Sequence, residues 1–412
     1  WVPPRRSVRR IAPWGSSAMT PDVSASLPPV ASARAAHASS VDERVAGACA
    51  SVGEDAPFFS IVMPCYGVEA YIGQALECIL KQTERSWELI VVDDATPDAS
   101  ALIAERAAAG DARIRVVHHE RNLGLSGARN TGISQARGEY VWICDPDDTY
   151  ESDVLSRARL ALEHSHADVC LFGYCEEYYD ESGAFMYRND LPLEAGEYLS
   201  PQDWHSLVIA WESSTHFGYA WNKIYRRTCI DEGSCSYENV RLIEDVLFNV
   251  EFFARARSVV VLDGTPYHYA KRKGSSLTNA NAYGAREYFD LHVRRVSALR
   301  GLLCSWDVLD EHATGILGGL YGRYVLSALE RACYPREGLS HGQRIAWCRE
   351  ILGAELSHTL LLQACDQGSR ALRAGLSVLK TSSPRLCVAF ARTIYLVHTK
   401  AYGVFTRLRS GR

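Results

Sequence analysis

Between Phe58 and Cys144, short apolar runs alternate with stretches in which apolar residues recur every three or four positions. The run from Phe58 to Met63 is apolar but for Ser60 and stops at Pro64, as a parallel strand buried on both faces should. Residues 69–81 predict a helix with Ala70, Ile72, Leu76, Ile79 and Leu80 turned inward. Glu88 to Val92 predicts a second strand, 97–109 a helix, Ile114 to Val117 a third strand, 124–136 a helix and Tyr140 to Cys144 a fourth strand. This alternation predicts βαβ units and a Rossmann-like α/β fold, with a mostly parallel sheet flanked by helices. Ligands of such sheets sit beyond the carboxyl ends of the strands. Three of the four strands run into candidate chemistry there: Pro64-Cys65-Tyr66, Asp93-Asp94, and Asp145-Pro146-Asp147-Asp148.

Further along, Ala167 to Tyr174 reads as a fifth strand, and the turn Asp180-Glu181-Ser182-Gly183 returns the chain through Phe185 to Arg188. Residues 201–230 and 241–256 read as helical, followed by a short strand from Val259 to Leu262. The pattern is helical from about 283 to the end. The expected organisation is a segment 1–57, a catalytic unit 58–280, a helical region 281–368 and a basic tail 369–412.

Composition alters this picture chiefly at the two ends. Residues 1–57 are rich in Ala, Ser, Pro and Arg and lack an apolar run of signal-peptide length, so they read as disordered or mis-assigned. Residue 1 is Trp, and Met19 is a candidate start. From Ser369 to Arg412 there are nine Lys or Arg and no acid. Arg385, Arg392, Lys400 and Arg407 fall on one arc of a helix, with Phe390, Ile394, Val397, Tyr402, Val404 and Phe405 filling much of the rest. Such a basic amphipathic helix either lies on an anionic membrane surface or packs on the domain with its basic stripe outward. No window of about 20 uninterrupted apolar residues exists for a spanning helix.

The formal net charge of −5 argues against a nucleic-acid partner. None of the 13 cysteines forms a CxxC pair. They read as reduced thiols in a cytoplasmic protein, and a structural zinc site is not expected from their spacing.

The acidic cluster after the fourth strand has a chemical reading. A nucleotide diphosphate leaving group is anionic, and hard cations such as Mg2+ or Mn2+ bind carboxylate oxygens while leaving room for phosphate. Alone, Asp145 to Asp148 would be a solvated turn; at a strand tip beside Asp93 and Asp94 it reads as a metal-diphosphate site. A carboxylate at Asp94 suits a base or ribose, with Thr96 or Asp98 left to cap the next helix.

At this point the sequence resembles the family-2 glycosyltransferases. The resemblance rests on Ser60 to Tyr66 (SIVMPCY), Glu88 to Asp98 (ELIVVDDATPD), Asn122 to Ile133 (NLGLSGARNTGI) and Gly138 to Asp148 (GEYVWICDPDD), and covers about residues 58–275. It implies the GT-A fold and a hexosyl transfer that inverts the anomeric carbon. It further implies that Pro64 and Tyr66 contact the base, Asp94 the uracil, Asp145 the ribose, and Asp147 and Asp148 the metal, with Arg129 along the nucleotide. Gly67, Ala95 and Pro146 depart from the family pattern, which commonly has Asn, Gly and a small polar residue there.

Inversion by one displacement needs a general base. Glu244-Asp245 opens a predicted helix, where acids are also favoured by the macrodipole. The resemblance implies that Asp245 is the base, with Glu244 as positioning residue or acceptor contact. Trp221-Asn222-Lys223 matches the start of the family's acceptor region, and Trp221 either stacks on a sugar or belongs to the core. Tyr267 to Ser275 carries Lys271, Arg272 and Lys273, expected as a basic loop that closes on the diphosphate. His268 is either a core histidine or a diphosphate contact.

The expected partners are a nucleotide-sugar donor and a saccharide or lipid-linked saccharide acceptor, with peripheral contact to the inner face of the plasma membrane through the tail. A nucleotidyltransferase would want a Gly-rich, Lys- or Arg-bearing loop after the first strand, a dehydrogenase GxGxxG; Pro64 to Glu69 is neither. A non-catalytic scaffold of the same fold would not need its acids intact.

Overall fold

A computed structural model describes residues 56–272, 283–365 and 370–400. Met19, Lys273 to Ser275 and the tail positions Tyr402, Val404, Phe405 and Arg407 therefore lie outside the described residues. The strands are β1 (Phe59–Cys65), β2 (Trp87–Asp93), β3 (Ile114–His118), β4 (Tyr140–Ile143), β5 (Thr149–Tyr150), β6 (Val169–Tyr179), β7 (Phe185–Leu191), β8 (Gly196–Tyr198), β9 (Lys223–Arg226) and β10 (Val259–Arg272). The helices are α1 (Ile72–Leu80), α2 (Ser100–Gly110), α3 (Gly124–Ser134), α4 (Val154–Ser165), α5 (Pro201–Trp204), α6 (Val208–Ser213), α7 (Arg227–Gly233), α8 (Glu244–Phe253), α9 (Ala285–Ser305), α10 (Glu311–Arg331), α11 (His341–Gly353), α12 (Glu355–Leu360), α13 (Arg370–Lys380) and α14 (Pro384–Lys400).

The sheet runs β3-β2-β1-β4-β9-β6-β10-β5, with β7 on β6 and β8 on β10. The first four strands are mutually parallel, as their continuous apolar runs predict. Alternate residues of each strand feed two apolar clusters. Phe59, Ile61, Met63, Leu89 and Val91 join Ile72, Leu76, Val154 and Leu155 of α1 and α4. On the other face Val62, Ile90, Val92, Val141 and Ile143 join α8 and continue without a break into α9, α10 and α13. Helix α3 lies so close to β1 that a Cβ on Gly132 would stand 2.2 Å from Val62 Cγ1, so only glycine fits there.

Two departures from the expected elements matter for function. The stretch read as helical over 201–230 contains β9, an antiparallel strand inserted between β4 and β6 with Ile224 paired to Trp142 and Cys170. Four residues are too short for periodicity to separate strand from helix. The strand expected over Val259–Leu262 continues to Arg272 through a register shift between Leu262 and Tyr267, because β6 offers an equally long parallel partner. Tyr267 to Arg272 is consequently sheet, not the basic loop expected.

Helix α14 docks on the domain: Cys387, Val388 and Ala391 are buried in the same cluster as α10 and α11. Its outer face exposes Arg385, Leu386, Ala389, Arg392 and Leu396. Among the described residues no helix is long and apolar enough to cross a membrane.

Candidate active site

The carboxyl ends of β2, β1 and β4 are neighbours in the sheet, so the three predicted tips do converge. The first two loops are laced together. Gly67 N–H donates to Thr96 Oγ1 (2.8 Å), Val68 N–H to Ser100 Oγ (3.0 Å) and Glu69 N–H to Asp98 Oδ2 (3.1 Å). Gly67 takes a positive φ of 67° and Ala95 one of 55°. Both departures from the family pattern therefore fall on left-handed residues, where Asn and Gly are at ease and Ala is strained. Tyr66 is exposed at the tip of β1, free to meet a planar base, whereas Pro64 is buried in the strand against Val92.

Asp94 turns inward. Leu123 N–H (2.7 Å), Gly124 N–H (2.8 Å) and the His119 ring (2.7 Å) engage its two oxygens. It pins the loop that starts α3. Asp93 likewise accepts from Thr96 N–H and meets His118.

At the tip after β4 the parity of the residues decides their fates. Asp148 is 1% exposed and accepts from Tyr267 O–H (2.6 Å) and Ala270 N–H (2.8 Å). Burial and its neighbours Asp147 and Asp145 hold its carboxyl well above the usual range. That makes Asp148 the anchor of the loop to β10, rather than the open metal ligand expected. Asp147 keeps 39% of its side chain exposed. Burial raises its pKa too, against Arg272, whose Nη1–H donates to the Asp147 carbonyl (2.7 Å). Arg272 also lies over the Tyr71 ring at 4.0 Å.

Arg129 joins three acids of the site. Carried by α3 and only 2% exposed, its guanidinium reaches Asp245 Oδ1 (2.6 Å), Asp145 Oδ1 (3.2 Å) and Glu244 Oε1 (3.4 Å). The Tyr237 ring lies beside it at 5.1 Å and stacks on Phe248 of α8 at 4.3 Å. One buried cation thus joins the tip of β4 to the first turn of α8. Three acids exceed its single charge. Burial, then Asp147 and Asp245, push Asp145 up to about 6 against the pull of Arg129. Burial, then Asp245, push Glu244 up to about 7. Asp245 Oδ2 accepts from Ala220 N–H (3.3 Å).

The expected acceptor residues are interior. Trp221 is stacked between Tyr219 (4.6 Å) and Tyr267 (4.3 Å). Asn222 is fully buried and donates to His216 O (3.1 Å) and Phe172 O (3.3 Å). Lys223 Nζ donates to His216 O (2.7 Å), Asn222 Oδ1 (2.8 Å) and Tyr219 O. These three therefore hold the 216–222 loop, including the Ala220 amide on Asp245, instead of facing an acceptor. Lys271 is also held inside, 3.5 Å from Glu176 and over the Tyr269 ring, away from its expected nucleotide role.

Asp145 and Asp147 fit a divalent cation. They are half-open carboxylates whose ionisation is disfavoured where they stand, and an added cation would relieve it. Sequence reasoning missed the Arg129 clamp, because nothing in NLGLSGARNTGI reveals which of its residues turns under β4.

Residues 60–233 match the model of Glycosyl transferase family 2. Over these residues the chain is similar to glycosyl transferase family 2. The chain is 35% identical over 222 residues to the uncharacterized glycosyltransferase EpsJ of Bacillus subtilis, covering 53% of this chain and 62% of that one. It is 28% identical over 271 residues to the poly(ribitol-phosphate) beta-N-acetylglucosaminyltransferase TarS of Staphylococcus aureus, covering 65% and 44%. The alignments with EpsJ and with a second Bacillus relative, EpsH, span about three-fifths of those proteins. The crystal structure of S. aureus TarS with UDP-GlcNAc superposes with a TM-score of 0.58 at 20% identity, over 81% of this chain and 91% of that one. The chain therefore has the GT-A fold, extended by C-terminal helices.

Proposed function

We propose that the protein is an inverting glycosyltransferase that moves a hexosyl group from a UDP-sugar to a saccharide or lipid-linked saccharide during cell-surface polysaccharide synthesis. The observation that carries this reading is the Arg129 bridge between Asp145, at the strand tip that suits a diphosphate, and Asp245, on the helix across the cleft. Asp245 takes the proton of the acceptor hydroxyl as its oxygen bonds to the anomeric carbon, and the bond to the nucleoside diphosphate breaks on the opposite face. Arg129 and Ala220 N–H fix the carboxylate of Asp245 for that task. Mg2+ or Mn2+ held by Asp145 and Asp147 would neutralise the leaving diphosphate. Tyr66 offers its exposed ring to the base. The UDP-GlcNAc complex of TarS supports the choice of a uridine donor.

The outer face of α14, with Arg385, Arg392 and exposed Leu386 and Leu396, supports peripheral contact with the anionic inner face of the plasma membrane. That face suits an enzyme whose acceptor is carried on a lipid. Binding of a panel of nucleotide sugars with and without Mn2+, followed by anomer analysis of the product, tests the proposal. A UDP-sugar should bind best with Mn2+ present and give an inverted linkage. Retention at the anomeric carbon would refute it.

A further inference from the structure

Cys175, Glu177 and His268 bring a thiol, a carboxylate and an imidazole together on adjacent parallel strands. Cys175 of β6 is directly paired with His268 of β10, and Glu177 stands two residues on, hence on the same face as Cys175. The three ligand atoms lie within 4.8 Å of one another, the one such group among the described residues. On β10 the alternation turns His268 to the opposite face from Tyr267, which holds Asp148, and none of the three residues belongs to the proposed active site.

Cys175 does not behave as an apolar filler. It is fully buried yet belongs to neither apolar cluster, and its charged neighbours are Arg188, Glu177, Asp190 and Glu151. His268 Nδ1 lies 3.2 Å from Glu177 Oε1. Its Nε2 is buried without a hydrogen-bond partner, 3.9 Å from Glu151 Oε1. Glu177 in turn accepts from Tyr179 O–H at 2.7 Å. Carboxylates behind a histidine and a hydroxyl behind a ligating acid are the outer supports that metal sites use.

We propose that Cys175, Glu177 and His268 bind Zn2+. A mixed sulfur, nitrogen and oxygen set suits this borderline-soft ion, and not the Mg2+ or Mn2+ that carboxylates alone would take. Tetrahedral zinc holds its ligands about 3.5 Å apart, and the Glu177 and His268 atoms already stand 3.2 Å from each other. The thiol proton is released to solvent on binding. The ion clamps β6 to β10 beside β5, and so fixes the strand from which Tyr267 and Ala270 hold Asp148.

The test loads the full chain with Zn2+, or with Co2+ as a spectroscopic substitute, and dialyses it against Mg2+. About one equivalent of Zn2+ should remain, and the Co2+ form should show a thiolate charge-transfer band. Cys175→Ser should lose the band and the tightly held ion, as should His268→Gln, while Asp147→Ala keeps both. The proposal is overturned if the wild-type protein retains no Zn2+ or shows no thiolate band. It is equally overturned if folded His268→Gln, checked by circular dichroism, retains both.

Discussion

Arg129 Nη1 lies 2.6 Å from Asp245 Oδ1, and through its other nitrogen the same guanidinium reaches Asp145. Residues 116 positions apart, on α3 and α8, are thereby locked into one charged unit at the tip of β4. A buried cation facing three acids is costly to break from either side. Arg129→Ala should abolish transfer and lower stability by about 3–5 kcal/mol. Arg129→Lys keeps the charge but cannot fork between Asp245 and Asp145, so it should fold better than the alanine variant and still transfer poorly. Denaturant melts alongside transfer assays check both; full activity in Arg129→Lys would contradict the clamp.

The two aspartates at the tip should separate cleanly. Asp147→Ala removes an exposed carboxylate, so transfer and metal-dependent nucleotide binding should fall with the melting temperature little changed. Asp148→Ala orphans Tyr267 O–H and Ala270 N–H and should cost about 1–3 kcal/mol. Asp148→Asn, which can still accept from one partner, should recover most of that stability. Isothermal titration with UDP and Mn2+, paired with thermal melts, distinguishes the roles.

The share of stability carried by Asp145 and Glu244 should fall as pH rises from about 4 to 7. Asp145 and Glu244 have folded pKa values of about 6 and about 7, raised above their ordinary 3.8 and 4.5 by burial first. Between those limits these two carboxyls bind more protons in the folded state than in the unfolded chain, so their part of the slope of stability against pH is negative, opposite in sign to that of buried His216, whose pKa burial lowers to about 4. The contribution is complete below pH 4 and gone above pH 7. Melting temperatures across this range, compared with those of Asp145→Asn and Glu244→Gln, check the sign, and saturating Mn2+ with UDP should flatten the difference.

Ala95 sits at φ 55°, a conformation that glycine adopts without strain. Ala95→Gly should stabilise the fold by about 1 kcal/mol, read as a small rise in melting temperature with transfer unchanged.

How much of this was legible beforehand depends on what each side chain does at the end of its strand. The order of strands, the convergence of three tips and the acidic start of α8 follow from apolar runs and their stops. The direction of each acid does not. Asp147 and Asp148 are adjacent, yet one keeps an exposed carboxylate and the other is consumed by β10, which reaches it only because β10 extends past its bulge to Arg272. Asp94 similarly looks like a ligand-reading acid until the loop before α3 folds its amides onto it. Trp221 and Asn222 lead into, and Lys223 opens, a four-residue strand whose brevity hid it, and with it their burial. Arg129 has no local signature, because its partners come from two other segments.

The central claim is that Asp245 takes the acceptor proton while the tip of β4 holds the donor. Single-turnover transfer by Asp245→Asn, with donor affinity measured on the same protein, tests it most directly. The account predicts near wild-type binding of the UDP-sugar and transfer reduced by about 100-fold or more. Transfer at the wild-type rate by folded Asp245→Asn would contradict it.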